Sequence, residues 1–276
     1  MVLVIDSATV RATNAGAGVS LRRLLDPAIQ AGARTLVDRV GLEPNARFDV
    51  KVPAKGVTYI QVLSGAVTLQ APDGEHGLDH RHVVFLPPGF TGTLRASTKA
   101  SLLACEVPDA VALDPDYAKN PAPFRVIDWH DEPLLNSVHD ARKRIYLATP
   151  KLFGSTAIKA EMIIYPPSTS GSNHYHEGAD HYMYFTAGSG TAFADEEPVR
   201  VKEGDLIYFP DGVRHYLTSD DNSEMVFVEF FTPGHYETVW VNAKACSWAP
   251  TGKNIRGEAA SREIPAHGGG LVPEEV

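Results

Sequence analysis

The chain has 276 residues, 43% of them hydrophobic, with 34 acidic against 25 basic side chains and a formal charge of −9. A chain of this size buries a sizeable core, and its acidic balance, without any cluster of Lys or Arg, excludes nucleic acid and an anionic membrane surface as expected partners. The apolar runs are strand-sized and the opening Met-Val-Leu-Val-Ile-Asp6 lacks the charged flank, length and cleavage site of a signal peptide, so no membrane association, a small-molecule partner and a cytoplasmic location are expected.

In chain order, helical periodicity is weak outside roughly residues 21–31. Short β-branched and aromatic runs then follow at 35–40, 59–63, 66–69 and 83–86, bounded by Gly, Pro and Asp. Between 108 and 140 prolines and charges interrupt any period, which reads as a linker. Strand-like runs resume at 157–165, 182–185, 190–193, 205–209 and 225–231. From 243 the chain is rich in Gly, Pro and charge and reads as an irregular tail, packed through Trp240 and Trp248, with 266–276 expected to be mobile. Many short strands at regular spacing predict an all-β fold of sandwich or barrel type. Cys105 and Cys246 are too few for a disulfide framework and are expected as buried thiols.

Sliding the chain against itself by 123 positions aligns Pro27 with Pro150, Pro44 with Pro167, Gly65 with Gly188, Pro87 with Pro210, Gly89 with Gly212 and Glu106 with Glu229, without a gap. A fixed offset over about 80 residues marks a tandem duplication. The expected layout is a first barrel at 1–110, a linker at 111–147, a second barrel at 148–240 and a tail at 241–276.

Four of the eleven histidines fall in the second copy, in Gly171-Ser-Asn-His174-Tyr-His176-Glu-Gly-Ala-Asp-His181 and in Gly204-Asp-Leu-Ile-Tyr-Phe-Pro-Asp-Gly-Val-Arg-His215. His174 and His176 are two apart, so on a strand both face one side, and neutral imidazole is a metal ligand at neutral pH. These frames resemble the two sequence motifs of the cupin superfamily, and the duplication resembles a bicupin. The resemblance covers about 25–110 and 148–232. It implies two tandem double-stranded β-helix (jelly-roll) barrels and one divalent metal per chain, held by His174, His176, His181 and His215. His181 stands where the family usually has glutamate, which makes the ligand shell wholly neutral. In the first copy the 123 offset puts Lys51, Pro53, Thr58 and Gly92 at the ligand positions, so the first barrel is expected to be metal-free and structural. His76, His80 and His82 are expected in a solvated turn.

Strand parity turns Met183 and Phe185 inward as pocket wall, with Tyr182 and Tyr184 opposite, and Tyr208 or Phe209 lines the barrel, Tyr208 as a catalytic candidate and Phe209 as pocket wall. Arg214 is a candidate for a substrate carboxylate, or a surface turn residue. Glu161 and Lys159 are candidates for proton transfer, and Asp180 for orienting a ligand imidazole. Glu229, recurring as Glu106, is expected in a structural salt bridge between barrels. Imidazole suits Fe, Cu, Ni and Zn, whereas Mn usually prefers more oxygen; resemblance to cupin dioxygenases puts Fe(II) first and leaves Mn, Ni, Cu and Zn as alternatives. The expected function is a dioxygenase cleaving a phenolic or dicarbonyl molecule, the substrate being anionic or enolisable. The alternatives are a redox-neutral hydrolase, lyase or isomerase, similar in plan to ureidoglycine aminohydrolase, and a non-catalytic ligand-binding protein. A homodimer is compatible with this reading.

Overall fold

The structure, a computed structural model, describes residues 2–117, 119, 121–241, 245–268 and 276. Its α-helices, Ala110–Leu113 and Pro150–Phe153, are four residues each, and among the described residues no helix is long and apolar enough to cross a membrane. Among the described residues everything else that is regular is strand, apart from one short 3-10 turn. Two compact units result: Ser7–Trp129 with Phe153–Ala157, and Met1–Asp6 with His130–Leu152 and Ile158–Val276.

In the N-terminal unit a seven-stranded sheet runs through His82–Leu86, Val57–Ser64, Ala100–Val107, Leu36–Leu42 and Val19–Leu25. A four-stranded sheet joins Arg47–Lys51, Thr91–Ala96, Ala66–Ala71 and Gly74–Asp79. The inward positions of both sheets meet in one core, with Val40, Ile60, Val84 and Leu102 from the first and Val50, Leu69 and Leu94 from the second. This is the alternation a two-layer jelly roll requires.

The C-terminal unit repeats the plan. Asp205–Phe209, Asp180–Ala187, Met225–Thr232, Lys159–Tyr165 and Lys143–Ala148 follow one another in a nine-stranded sheet, and Glu197–Lys202, Ser189–Ala194, His215–Ser219 and His174–Glu177 in a five-stranded one. Leu36 and Lys159, Val57 and Asp180, Ala66 and Ser189, Gly74 and Glu197, and His82 and Asp205 start corresponding strands, each pair 123 positions apart. The two all-β units are thus two copies of one jelly-roll barrel. The short strand leading each copy pairs in the sheet of the other: Leu3–Asp6 on Asp205–Phe209, and Arg125–Asp128 on His82–Leu86.

Three expectations need correction. Residues 111–147 are not a linker throughout, because Leu135–Ser137 and Lys143–Ala148 pair into the C-terminal sheet. The 241–276 segment is not wholly irregular, since Ser247–Pro250 pairs with Leu135–Ser137 and buries Trp248; of its expected mobile end, 269–275 lie outside the described residues. Residues 21–31 carry no helix. Val19–Leu25 is a strand, because cross-strand partners such as Val40 for Leu21 outweigh a weak local period.

Gly188 holds a left-handed backbone, φ +72°, and a Cβ there would stand 2.0 Å from the Glu224 carbonyl oxygen. Gly188→Ala therefore adds a clash to the backbone strain, and about 3 kcal/mol of destabilisation is expected. Gly212 has φ +77° with nothing within 4 Å of its Cβ position, so Gly212→Ala should cost only the left-handed term, about 1–2 kcal/mol. Denaturant midpoints of the two variants check the difference; equal midpoints would show that the Glu224 turn yields.

Candidate metal centre

His174 and His176 come from one strand, and His215 starts the strand antiparallel to it, directly opposite His174. The ligand atoms of these three lie within 4.8 Å of one another. Each ring is held from behind. The Nδ1–H groups of His174 and His215 donate to the carbonyl oxygens of Ser172 (2.8 Å) and Val213 (2.9 Å), which leaves each Nε2 as a lone pair. Nδ1 of His176 meets the Thr238 hydroxyl at 3.0 Å, and its Nε2 is buried without a hydrogen-bond partner among the described residues. A buried, orphaned imidazole nitrogen beside two fixed lone pairs fits a divalent metal ion.

Burial holds all four histidines neutral: the His174 and His176 imidazoles titrate well below the usual range, and His181 and His215 are pushed down to about 3. The unfolded chain takes up these protons first. Stability of the metal-free protein should therefore be lost as pH falls from about 6.5 toward the folded values. Denaturation midpoints at pH 7.5 and pH 5 test this; an unchanged midpoint would contradict it.

The structure treats His181 differently from the other three. Its Nδ1 faces the His215 Nε2 lone pair at 3.0 Å, and its Nε2 faces Glu229 Oε2 at 3.0 Å. A neutral imidazole has one N–H and cannot donate to both. With Glu229 ionised and accepting from Nε2–H, two nitrogen lone pairs face each other, an arrangement that a cation between them relieves.

Glu229 opposes Glu161 across paired strands. Arg144 Nη2 reaches Glu161 at 3.2 Å and Glu229 at 3.8 Å, and Lys159 Nζ lies 3.5 Å from Glu161 and 2.6 Å from the Tyr236 hydroxyl. Burial raises the Glu161 carboxyl, an effect Arg144 and Lys159 only partly oppose. Burial likewise lowers the Lys159 ammonium, to about 8. A cavity of about 40 Å³ is lined by His174 and His176 together with Arg142, Arg144, Glu161 and Glu229 and walled by Met183, Phe231, Tyr236, Trp240 and Trp248.

Of the expected pocket residues, Met183 lines the cavity, Phe185 lies deeper in the core, and Phe209 stacks on His215 with centroids 4.3 Å apart. Tyr208 turns to the opposite face of its strand, where its hydroxyl donates to Asp180 at 3.0 Å. Neither Tyr208 nor Asp180 is therefore shown at the site; the carboxylate behind a ring is Glu229. Arg214 is exposed in the turn before His215, and the cavity arginines are Arg142 and Arg144. Glu229 is not a bridge between barrels, because its partners His181 and Arg144 belong to its own unit. Sequence reasoning missed both arginines because it placed the start of the second copy too late: carrying the offset back from Pro150 aligns 143–148 with 20–25, a stretch whose period reads as helical but which forms a strand in both copies. In the N-terminal unit His76 and His82 are each held by a nearby aspartate, Asp73 at 3.0 Å and Asp79 at 2.9 Å. Cys105 and Cys246 are free and buried.

Residues 161–231 match the family described as Cupin domain. The chain is 26% identical to oxalate decarboxylase OxdC of Bacillus subtilis over 128 residues, which is 44% of this chain and 32% of that protein. It is 30% identical to protein SchB of Streptomyces halstedii over 83 residues, 29% of this chain and 60% of that one. Its matches thus span less than two thirds of these curated relatives. Among solved structures, protein Ylba from E. coli superposes with a TM-score of 0.70 at 13% identity, covering 84% of this chain and 90% of that one. A B. subtilis oxalate decarboxylase described with Mn(II) centres gives 0.67 at 14% identity, covering 87% and 79%. These structural likenesses show the fold.

Proposed function

We propose that the C-terminal barrel, whose residues 161–231 match the cupin domain family, is a metal-dependent active site for a small anionic or enolisable molecule, working by proton transfer without net oxidation. The cavity carries the reading. Its cationic side chains, Arg142 and Arg144, are already matched, Arg142 by Asp140 and Arg144 by Glu161 and Glu229, and Lys159 behind them pairs with Glu161. A divalent ion on neutral imidazoles then adds two uncompensated positive charges, which favour an anion beside it. A volume of about 40 Å³ suits a molecule of a few heavy atoms better than a phenolic ring.

His174, His176 and His215 hold the ion in this reading, and His181 joins them through Nδ1, with Glu229 fixing its tautomer. The metal supplies Lewis acidity toward a carboxylate or enolate oxygen. Arg144 and Lys159 keep Glu161 in place, and Glu161, raised by burial, takes a proton from the substrate at the cavity wall and returns it to carbon as negative charge develops there. The aromatic wall excludes water. Loss of a carboxyl group or a proton shift are the fitting reaction classes, and the decarboxylase relative supports the first. For the metal, the imidazole set supports Fe(II) and the Mn(II) centres of the B. subtilis relative support Mn(II).

The test is turnover of a small-carboxylate panel, oxalate included, by protein loaded separately with Mn(II) and Fe(II), with carbon dioxide release and oxygen uptake recorded together. Product without net oxygen consumption is expected. Stoichiometric oxygen uptake would instead support the dioxygenase reading, and no turnover with either metal would remove the enzyme reading. Sedimentation of the loaded protein tests the homodimer.

A further inference from the structure

The N-terminal unit carries a second polar depression, of about 640 Å³, over the strands Val19–Leu25, Leu36–Leu42 and Ala100–Val107. That volume lies within the range of small-molecule sites. At its floor Arg22 and Arg39 are direct cross-strand partners, so their side chains stand on the same face. Like charges in that relation destabilise a sheet. The same two strands show the ordinary solution one position away, where Arg23 opposes Asp38 and binds it at 2.6 Å. No carboxylate among the described residues lies within ion-pair distance of Arg22 or Arg39, and the acidic side chain that borders the depression, Glu43, is taken by Lys99 at 3.2 Å.

Arg39 is also held in position. Its Nη1 donates to the fully buried Ser7 hydroxyl at 2.9 Å and its Nε to the Ser101 hydroxyl at 3.1 Å, which leaves the Nη2 side of the fork free. Ser101, accepting from Arg39, keeps its own hydroxyl proton to give. Arg22 is anchored through Nε to the Val10 carbonyl at 3.1 Å. Gly16, Gly18 and Gly41 leave the space open; at Gly41 a Cβ would stand 2.6 Å from Ser20 Oγ. Two anchored guanidinium groups with hydroxyls at their side form a donor-rich surface that suits a tetrahedral oxyanion accepting from several directions.

We propose that this depression binds a phosphoryl-bearing small molecule, its phosphoryl oxygens taken by Arg22 and Arg39 with Ser101 and Ser20 beside them. It is a separate site in the N-terminal barrel, and it does not depend on the reaction proposed for the other.

The test titrates inorganic phosphate into the full-length, chelator-treated protein by calorimetry, alongside the Arg22→Gln/Arg39→Gln double variant. One saturable equivalent is expected for the unaltered protein, weakened at least about tenfold in the variant. Without phosphate the variant should melt no lower than the parent, because substitution relieves the like-charge pair, and phosphate should raise the melting temperature of the parent alone. Unchanged metal uptake by the variant would keep this site distinct from the histidine centre. Absence of saturable binding up to about 10 mM, equal affinity in both proteins, or equal binding of malonate would each overturn the proposal.

Discussion

Replacing His176 by alanine is expected to remove one equivalent of bound metal and, with it, turnover to background. His176 is the ring whose Nε2 is buried with no partner among the described residues, so its lone pair is one that a metal ion would satisfy. The substitution deletes that nitrogen while the backbone pairing to Thr238 remains. A milder companion separates ligand from support. Thr238→Val removes only the hydroxyl 3.0 Å behind Nδ1, and loss of such a supporting bond weakens metal affinity about 10- to 100-fold. Elemental analysis after dialysis against graded chelator concentrations reads both. His176→Ala protein that retained a full equivalent would show that the metal lies elsewhere.

The same comparison bears on His181. Its position between His215 Nε2 and Glu229 distinguishes a ligand from a second-layer group, since His181→Ala should lower metal stoichiometry in the first case and only the affinity in the second. The sequence frame alone made no such distinction, because it places a side chain near the ion without saying which ring nitrogen points where. Two tautomers are set by carbonyls two residues back, Ser172 behind His174 and Val213 behind His215, whereas those of His176 and His181 depend on partners distant in the chain, Thr238 and Glu229.

The barrel plan was legible for a related reason. Gly65 and Gly188 occupy the same turn in the two copies, both at positive φ and both with a carbonyl where a Cβ would go, so the repeat advertises itself at positions where only glycine fits. The cavity wall offers no such marker. Arg144 and Trp248 are 104 residues apart and meet because Lys143–Ala148 and Ser247–Pro250 both flank Leu135–Ser137 in one sheet. Nothing in local period or composition announces that meeting, and prolines and charges on either side made both segments read as connectors. Tyr208 failed for another reason: parity correctly separates it from Phe209, but deciding which of the two faces inward needs the core, where Ile207 and Phe209 lie together.

Arg144→Met should be among the most destabilising single substitutions in the chain. The guanidinium is buried over the Trp248 ring, 4.0 Å from its centroid, and balances Glu161 and Glu229. Burial alone would favour its neutral form, yet those carboxyl groups hold its pKa above the usual arginine value, so the carboxylates depend on it in turn. Methionine fills similar space but leaves two buried carboxyl groups facing each other with only Lys159 nearby. Removing one partner from a buried ion network costs about 3–5 kcal/mol, and a chain of this size loses roughly 10 °C of thermal midpoint for that. Adding Glu161→Gln to Arg144→Met deletes one of the stranded charges, so the double variant should melt above the single one, a non-additivity expected of side chains in contact. Equal melting of the two would mean that Glu161 is protonated in the folded protein and places no charge opposite Arg144. That result would leave Glu229 as the carboxylate Arg144 balances, and would remove Glu161 as the group that takes the substrate's proton.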